Sequence, residues 1–222
     1  MSKNIKHNDP EESVENALNK TEQLIEKHKN NLIYAVIAIL GISAIGFAYQ
    51  HLYRKPLKEE AVAQTFVAEQ HFRADSFALA LNGDGNALGF KQIIDEYGSA
   101  SAKSVYLYAG ICELQLGNFE NAIDYLKKYK TEDPILQARA ICNIGDAYAS
   151  LMNNKEALNY YLKAADYSDN IFAAGYMLKA ALMQEELGNK DEAVKIYENI
   201  KVKYPQSIEG FEADKYIARL KQ

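Results

Sequence analysis

Tryptophan is absent from this chain, and cysteine, histidine and proline are scarce, at two, four and four residues. Two cysteines, Cys112 and Cys142, are too few for a disulfide-stapled fold and lack zinc-type spacing. Both read as small buried hydrophobes, with a bond between stacked helices left open as the alternative. The histidines, His7, His28, His51 and His71, form no set with cysteine or carboxylate at metal-ligand spacing, so no metal is expected. No phosphate loop or nucleophile motif occurs, so neither a cofactor nor an enzymatic activity is expected. The net charge is −5, and no dense Lys/Arg run marks a phosphate-binding face. Nucleic acid is therefore excluded as the natural partner.

What the chain does have is repetition. Leu116-Gly117-Asn118-Phe119-Glu120-Asn121-Ala122 is the sharpest copy of a motif that returns at Leu151 to Ala157 and at Leu187 to Ala193. A weaker copy is read from Leu81 to Ala87. Leucine and alanine stand six apart each time, and the alanines are spaced by 35, 35 and 36. A period of this size predicts a solenoid. Each unit reads as a helical hairpin: a Gly/Asn turn ends one helix, a small alanine admits the next, and stacked units bury the core together.

These residues resemble the tetratricopeptide repeat. Gly145, Tyr148, Ala157, Tyr161 and Ala164 match that pattern in one unit; Gly110, Ala122 and Pro134 match it in the unit before; Ala193, Tyr197 and Pro205 match it in the unit after. The first unit keeps Ala87 but has no glycine at the expected place in its first helix. The fold class expected is all-α: one N-terminal transmembrane helix, then an α-solenoid of about four tetratricopeptide-like hairpins closed by a C-terminal capping helix.

Residues 1–29 read as a tail with a short amphipathic helix, capped by Asp9, opened by Pro10 and striped by Val14, Ala17, Leu18, Thr21, Leu24, Ile25 and His28. Residues 30–53 read as the span. No charged side chain lies between Lys29 and Arg54, a helical reach of roughly 36 Å against a bilayer core of about 30 Å. Tyr34, Tyr49 and Tyr53 sit near its ends. The preceding segment is long and not net basic, which favours an uncleaved anchor over a cleaved signal peptide. Lys20, Lys27 and Lys29 balance Arg54, Lys55 and Lys58, so charge alone does not orient the span. Ala44 and Ala48 form one small-xxx-small pair.

Residues 54–206 read as the repeat domain. Pro56 reopens a helix that runs to about Ala80, Asn82-Gly83-Asp84-Gly85 forms a turn without calcium-loop spacing, and a helix follows over 87–97. Further helices are expected near 102–116, 119–130, 135–151, 154–167, 171–187 and 190–203, with Pro134 in a turn. Residues 207–222 form the cap, with Ile208, Phe211, Tyr216, Ile217 and Leu220 packed on the last hairpin. The resemblance implies that first helices line a concave groove. It places Phe72, Leu107, Ile111, Leu114, Leu178 and Leu182 on or near that surface, interrupted by Arg139 and Asp146. An apolar strip of this kind suits a helix or extended peptide of a partner. That half of these side chains are core stays open. Asp146 is expected to repel a C-terminal carboxylate.

Tail, span and repeats in this order resemble a bacterial single-pass family, the ancillary subunit of the SecYEG translocon (the YfgM-like proteins). The resemblance implies a cytoplasmic N-terminus, an inner-membrane anchor and a periplasmic repeat domain. It implies translocon subunits, a membrane-anchored prolyl-isomerase-type chaperone and unfolded clients as partners. The alternative is a structural scaffold for an envelope-assembly or cell-division complex.

Overall fold

The computed structural model describes residues 10–221, and every element among them is helical. Helix α1 is Pro10–Ala48, α2 Lys55–Arg73, α3 Phe77–Asn82, α4 Phe90–Tyr97, α5 Lys103–Gln115 and α6 Phe119–Lys128. Then follow α7 Pro134–Ser150, α8 Asn154–Tyr167, α9 Ala173–Glu186, α10 Lys190–Lys203 and α11 Ile208–Leu220. The chain divides into two compact units, Met1–Pro56 and Leu57–Gln222.

In the first unit, α1 is one helix of 39 residues, so the tail helix and the span are not separate elements. Asp9 and the side chains of Val14, Ala17, Leu18, Thr21, Leu24 and Ile25 lie outside the described residues. From Ile33 to Phe47 the large apolar side chains are exposed. The helix is long and apolar enough to cross a membrane and is compatible with a single-pass anchor. Proline 56 lacks an N–H, and its ring would press on the carbonyl of Leu52. The chain meets this with a wider π-turn over Tyr49–Arg54, where the Lys55 N–H reaches Gln50 O. Tyr49 and Tyr53 stack at 5.5 Å within that turn.

The second unit is a stack of hairpins. Each strong repeat copy ends its first helix in the same six-residue closure. Asn118 N–H donates to Glu113 O and Gly117 N–H to Leu114 O; Asn153 and Met152 repeat this pair of bonds, as do Asn189 and Gly188. This closure needs a left-handed residue, and Gly117, Met152 and Gly188 have φ of 81°, 59° and 78°. Ala122, Ala157 and Ala193 then stand fourth in the second helices, all fully buried. Twelve residues earlier, Gly110, Gly145 and Ala181 let the paired helix in. A Cβ on Gly110 would stand 2.6 Å from Leu126 Cγ, and one on Gly145 would stand 2.6 Å from a Tyr161 ring carbon. Tyrosine and leucine at that facing place are therefore core fillers bought by a missing methyl group.

The first unit does not follow the register read from Ala87. Its closure lies earlier, where Ser76 N–H donates to His71 O and Asp75 N–H to Phe72 O, with Asp75 at φ 54°. Five residues on, Ala80 is fully buried, and twelve before that Ala68 is 1% exposed. The helix expected to run from Leu57 to Ala80 therefore breaks after Arg73, and α2–α3 is the hairpin. Its second helix is interrupted over 83–89 and resumes as α4. Ala80 precedes Ala122 by 42 residues, an excess of seven over the regular 35, which hid the true copy. Ala87 lies in the interruption, and α4 starts at Phe90 rather than at 87. Asp84 holds this loop: its Oδ1 accepts from Asn86 N (2.9 Å) and Ala87 N (2.7 Å). Backbone donation from Ala87 and then Asn86 keeps that carboxyl below its usual range.

Pro134 opens α7 instead of lying in a turn. Asp133 caps it, accepting from Ile135 N at 2.9 Å and Leu136 N at 3.0 Å. Three linked apolar clusters form the core: α2–α5 residues around Phe90 and Ile93, α5–α7 residues around Leu126, and α7–α11 residues around Tyr161 and Tyr197.

Candidate partner-binding face

The equivalent places on the first helices α2, α5, α7 and α9 carry the side chains expected to line a groove. Leu107 is only 7% exposed and sits in the core with Leu126, Ala140 and Ile144. Ile111 and Leu114 are half-buried against the same cluster. Phe72 is half-buried too, and its ring meets Tyr108 at 5.0 Å, Phe77 at 5.7 Å and Phe90 at 6.3 Å. Leu178 is half-buried against the C-terminal cluster, and Leu182 is 37% exposed. The apolar strip thus offers edges of Ile111, Leu114, Leu178 and Leu182, while Leu107 serves packing.

The polar interruption is more organised than its two named residues suggest. Asp146 Oδ1 accepts from the Tyr161 hydroxyl at 2.7 Å and from Lys179 Nζ at 2.6 Å. Lys179 also lies over the Tyr161 ring, 5.6 Å from its centroid. Asp146 therefore has its charge met within the chain, and the repulsion of a carboxylate expected from it is offset by Lys179. Arg139 shares a face of α7 with Cys142 and Asp146, is exposed and forms no ion pair among the described residues. The net charge of this patch is positive. Lys179 was missed by sequence reasoning; its place directly after Leu178, on a first helix facing Asp146, was the available signal.

Burial raises the Cys142 thiol to about 12, with Asp146's charge adding to the effect and Lys179 opposing it. Cys112 is likewise pushed up to about 12, by burial and then Glu113. Both are free thiols and buried, so the bonded alternative does not hold. Burial also pushes the Tyr161 hydroxyl up, reinforced by its bond to Asp146. Among the described residues no group of three or more His, Cys, Asp or Glu is placed to hold a metal ion.

Three family models of the tetratricopeptide repeat match residues 90–134, 138–170 and 176–207. The chain carries tetratricopeptide repeats. The matched stretches run from α4 to the end of α10, and repeats of this type are protein–protein interaction modules. No curated protein matches the chain with significance. A crystal structure of MamA protein is similar at 19% identity and TM-score 0.53, over 73% of this chain and 90% of that one. A second MamA structure, AMB-1 in P212121, is similar at 18% identity and TM-score 0.50, over the same shares. At these identities the likeness is one of fold. The tetratricopeptide fold accounts for the shared Gly110, Gly145 and Ala181 places, and it makes the α2, α5, α7 and α9 surface the candidate site.

Proposed function

We propose that the chain is a membrane-anchored protein-binding module that holds a segment of a partner along the first-helix face, as an accessory subunit of the protein-translocation machinery. The observation that carries this reading is the pairing of apolar edges with an unpaired cation: Ile111 and Leu114 on one side of Arg139, Leu178 and Leu182 on the other. A helix or extended peptide with apolar side chains about an acidic one fits that order. In this reading α1, which is long and apolar enough to span, is the anchor; the architectural resemblance supports a bacterial inner membrane with the repeats in the periplasm. Translocon subunits, a membrane-anchored prolyl-isomerase-type chaperone or emerging unfolded chains are the partners this architecture suits. Confinement beside a membrane complex raises effective concentration, so a shallow face with modest contacts suffices.

The test is co-purification of the tagged full chain from membranes in mild detergent. Translocon components should accompany it, and the Arg139→Asp/Leu182→Asp double variant should lose them while keeping its circular dichroism. Recovery of the wild-type chain alone, or of one envelope-assembly partner unaffected by the double variant, would overturn the proposal.

A further inference from the structure

Helix α11 buries only part of the stripe expected of it: Tyr216, Ile217 and Leu220 pack on the last hairpin, but Ile208, 75% exposed, and Phe211, 74% exposed, do not. The helix packs by its other side: Gly210 and Ala213 are buried, and Tyr216, Ile217 and Leu220 lie against the α9–α10 core. Tyr216 stacks on Tyr197 at 5.0 Å. α11 follows α10 and also meets α9, as α7 follows α6 and also meets α5. A first helix in this array has a second helix against its outer side. α11 has none among the described residues, and that outer side carries Ile208, Phe211, Lys215 and Ala218 at spacings of three, four and three.

We propose that this face pairs antiparallel with the same face of a second copy of the chain. The charge order along α11 points to that occupant. Its first half carries Glu209, Glu212 and Asp214; its second half carries Lys215 and Arg219, and Lys221 follows as its C-cap. Only an antiparallel pairing sets the acidic half of each helix over the basic half of the other, with Phe211 over Ala218 of the second copy. Three of these charges are already engaged within the chain: Asp214 with Lys201, Arg219 with Glu185 and Lys221 with Glu198. Glu212 meets only the Tyr216 hydroxyl, at 3.3 Å, and Lys215 has no partner among the described residues. Those two groups are left to recognise each other across the pair. A contact of one 13-residue helix on another is about 20 Å long and falls below the roughly 1,200 Å² of standard stable interfaces, so the dimer is weak and reversible.

The experiment is sedimentation of the full chain in detergent micelles over a concentration series reaching about 100 µM, with four variants. The wild type should dimerise. Glu212→Lys and Lys215→Glu should each weaken the dimer at least about tenfold, and the two together should restore it, because acid and base simply exchange sides. Phe211→Glu should abolish it; Phe211 is exposed, so an unchanged helical signal will show the fold intact. A chain that stays monomeric throughout would overturn the proposal. So would a dimer that survives Phe211→Glu, which would place the contact elsewhere, or a double exchange that fails to restore pairing.

Discussion

Replacing Gly145 by alanine should destabilise the protein, against the usual rule. Glycine inside a helix is normally worse than alanine by about 1 kcal/mol, so the substitution would ordinarily stabilise α7. Here the added Cβ would stand 2.6 Å from Tyr161 Cε1 and 2.7 Å from Cδ1. Real Cβ atoms do not approach so closely, so the ring must move. Tyr161 is buried, and its hydroxyl is tied to Asp146 at 2.7 Å. Overpacking a well-filled core costs about 1–3 kcal/mol. Disturbing a hydrogen bond to a charged acceptor adds about 1.5–3 kcal/mol if the bond is lost. With the bond lost and the helix gain subtracted, the net loss is about 1.5–5 kcal/mol. For a chain of this size that lowers the midpoint of thermal unfolding by about 3–20 °C. The assay is thermal unfolding of the full chain in detergent, followed by circular dichroism, with Gly175→Ala as the control. A Cβ at Gly175 meets only Glu209 Oε1, at an ordinary 3.4 Å, so that variant should be neutral or more stable by up to about 1 kcal/mol. If Gly145→Ala proves as stable as the wild type, the reading of this position as a close-approach site is wrong.

Met152→Gly should raise stability by about 0.5–1 kcal/mol in chemical denaturation, because Met152 holds φ 59° where the neighbouring units use glycine. Ser207→Ala should lower it by about 1 kcal/mol, since the Ser207 hydroxyl accepts from Gly210 N at 3.0 Å and caps α11. Both thiols titrate near 9.0 when exposed and near 12 in the fold, so their contribution is complete below pH 9 and is lost as pH rises from 9 towards 12. Stability should fall across that window by up to about 1.4 kcal/mol per pH unit for each thiol, and Cys112→Ala/Cys142→Ala should flatten the slope. In native conditions at pH 8 the thiols should resist alkylation, and denaturant should release both.

The three regular hairpins were legible because each of their steric needs leaves a mark in the sequence. A left-handed turn asks for Gly117 or Gly188, a close approach asks for Gly110, Gly145 or Ala181, and a fourth-place alanine admits the second helix. The first hairpin was misread because the same needs are met by other residues. Asp75 takes the turn and Ala68 the close approach, while a seven-residue excess moves the next alanine out of period. Proline was misjudged at 134, where the preceding Asp133 turns a breaker into a helix start. Of the candidate face, the helical places could be assigned from spacing, but burial could not. Leu107 and Leu182 occupy comparable helices, yet one is closed over by Leu126 and Ala140 and the other is open. The Asp146–Lys179–Tyr161 contact joins α7, α8 and α9, and no short-range pattern encodes a contact across three helices. At α11 the expected stripe joined two faces: Tyr216, Ile217 and Leu220 meet the hairpin, while Ile208 and Phe211 are exposed.

In-cell photocrosslinking is the most direct test of the central claim, that the first-helix face holds a partner. Probes belong at Arg139 and Leu182, which are exposed, with a control at Asn159 on the outer side of α8. Adducts to translocon subunits, a periplasmic chaperone or secreted clients from the first two sites, and none from Asn159, are the predicted result. Equal labelling from all three sites, or no adduct from Arg139 and Leu182, would contradict it.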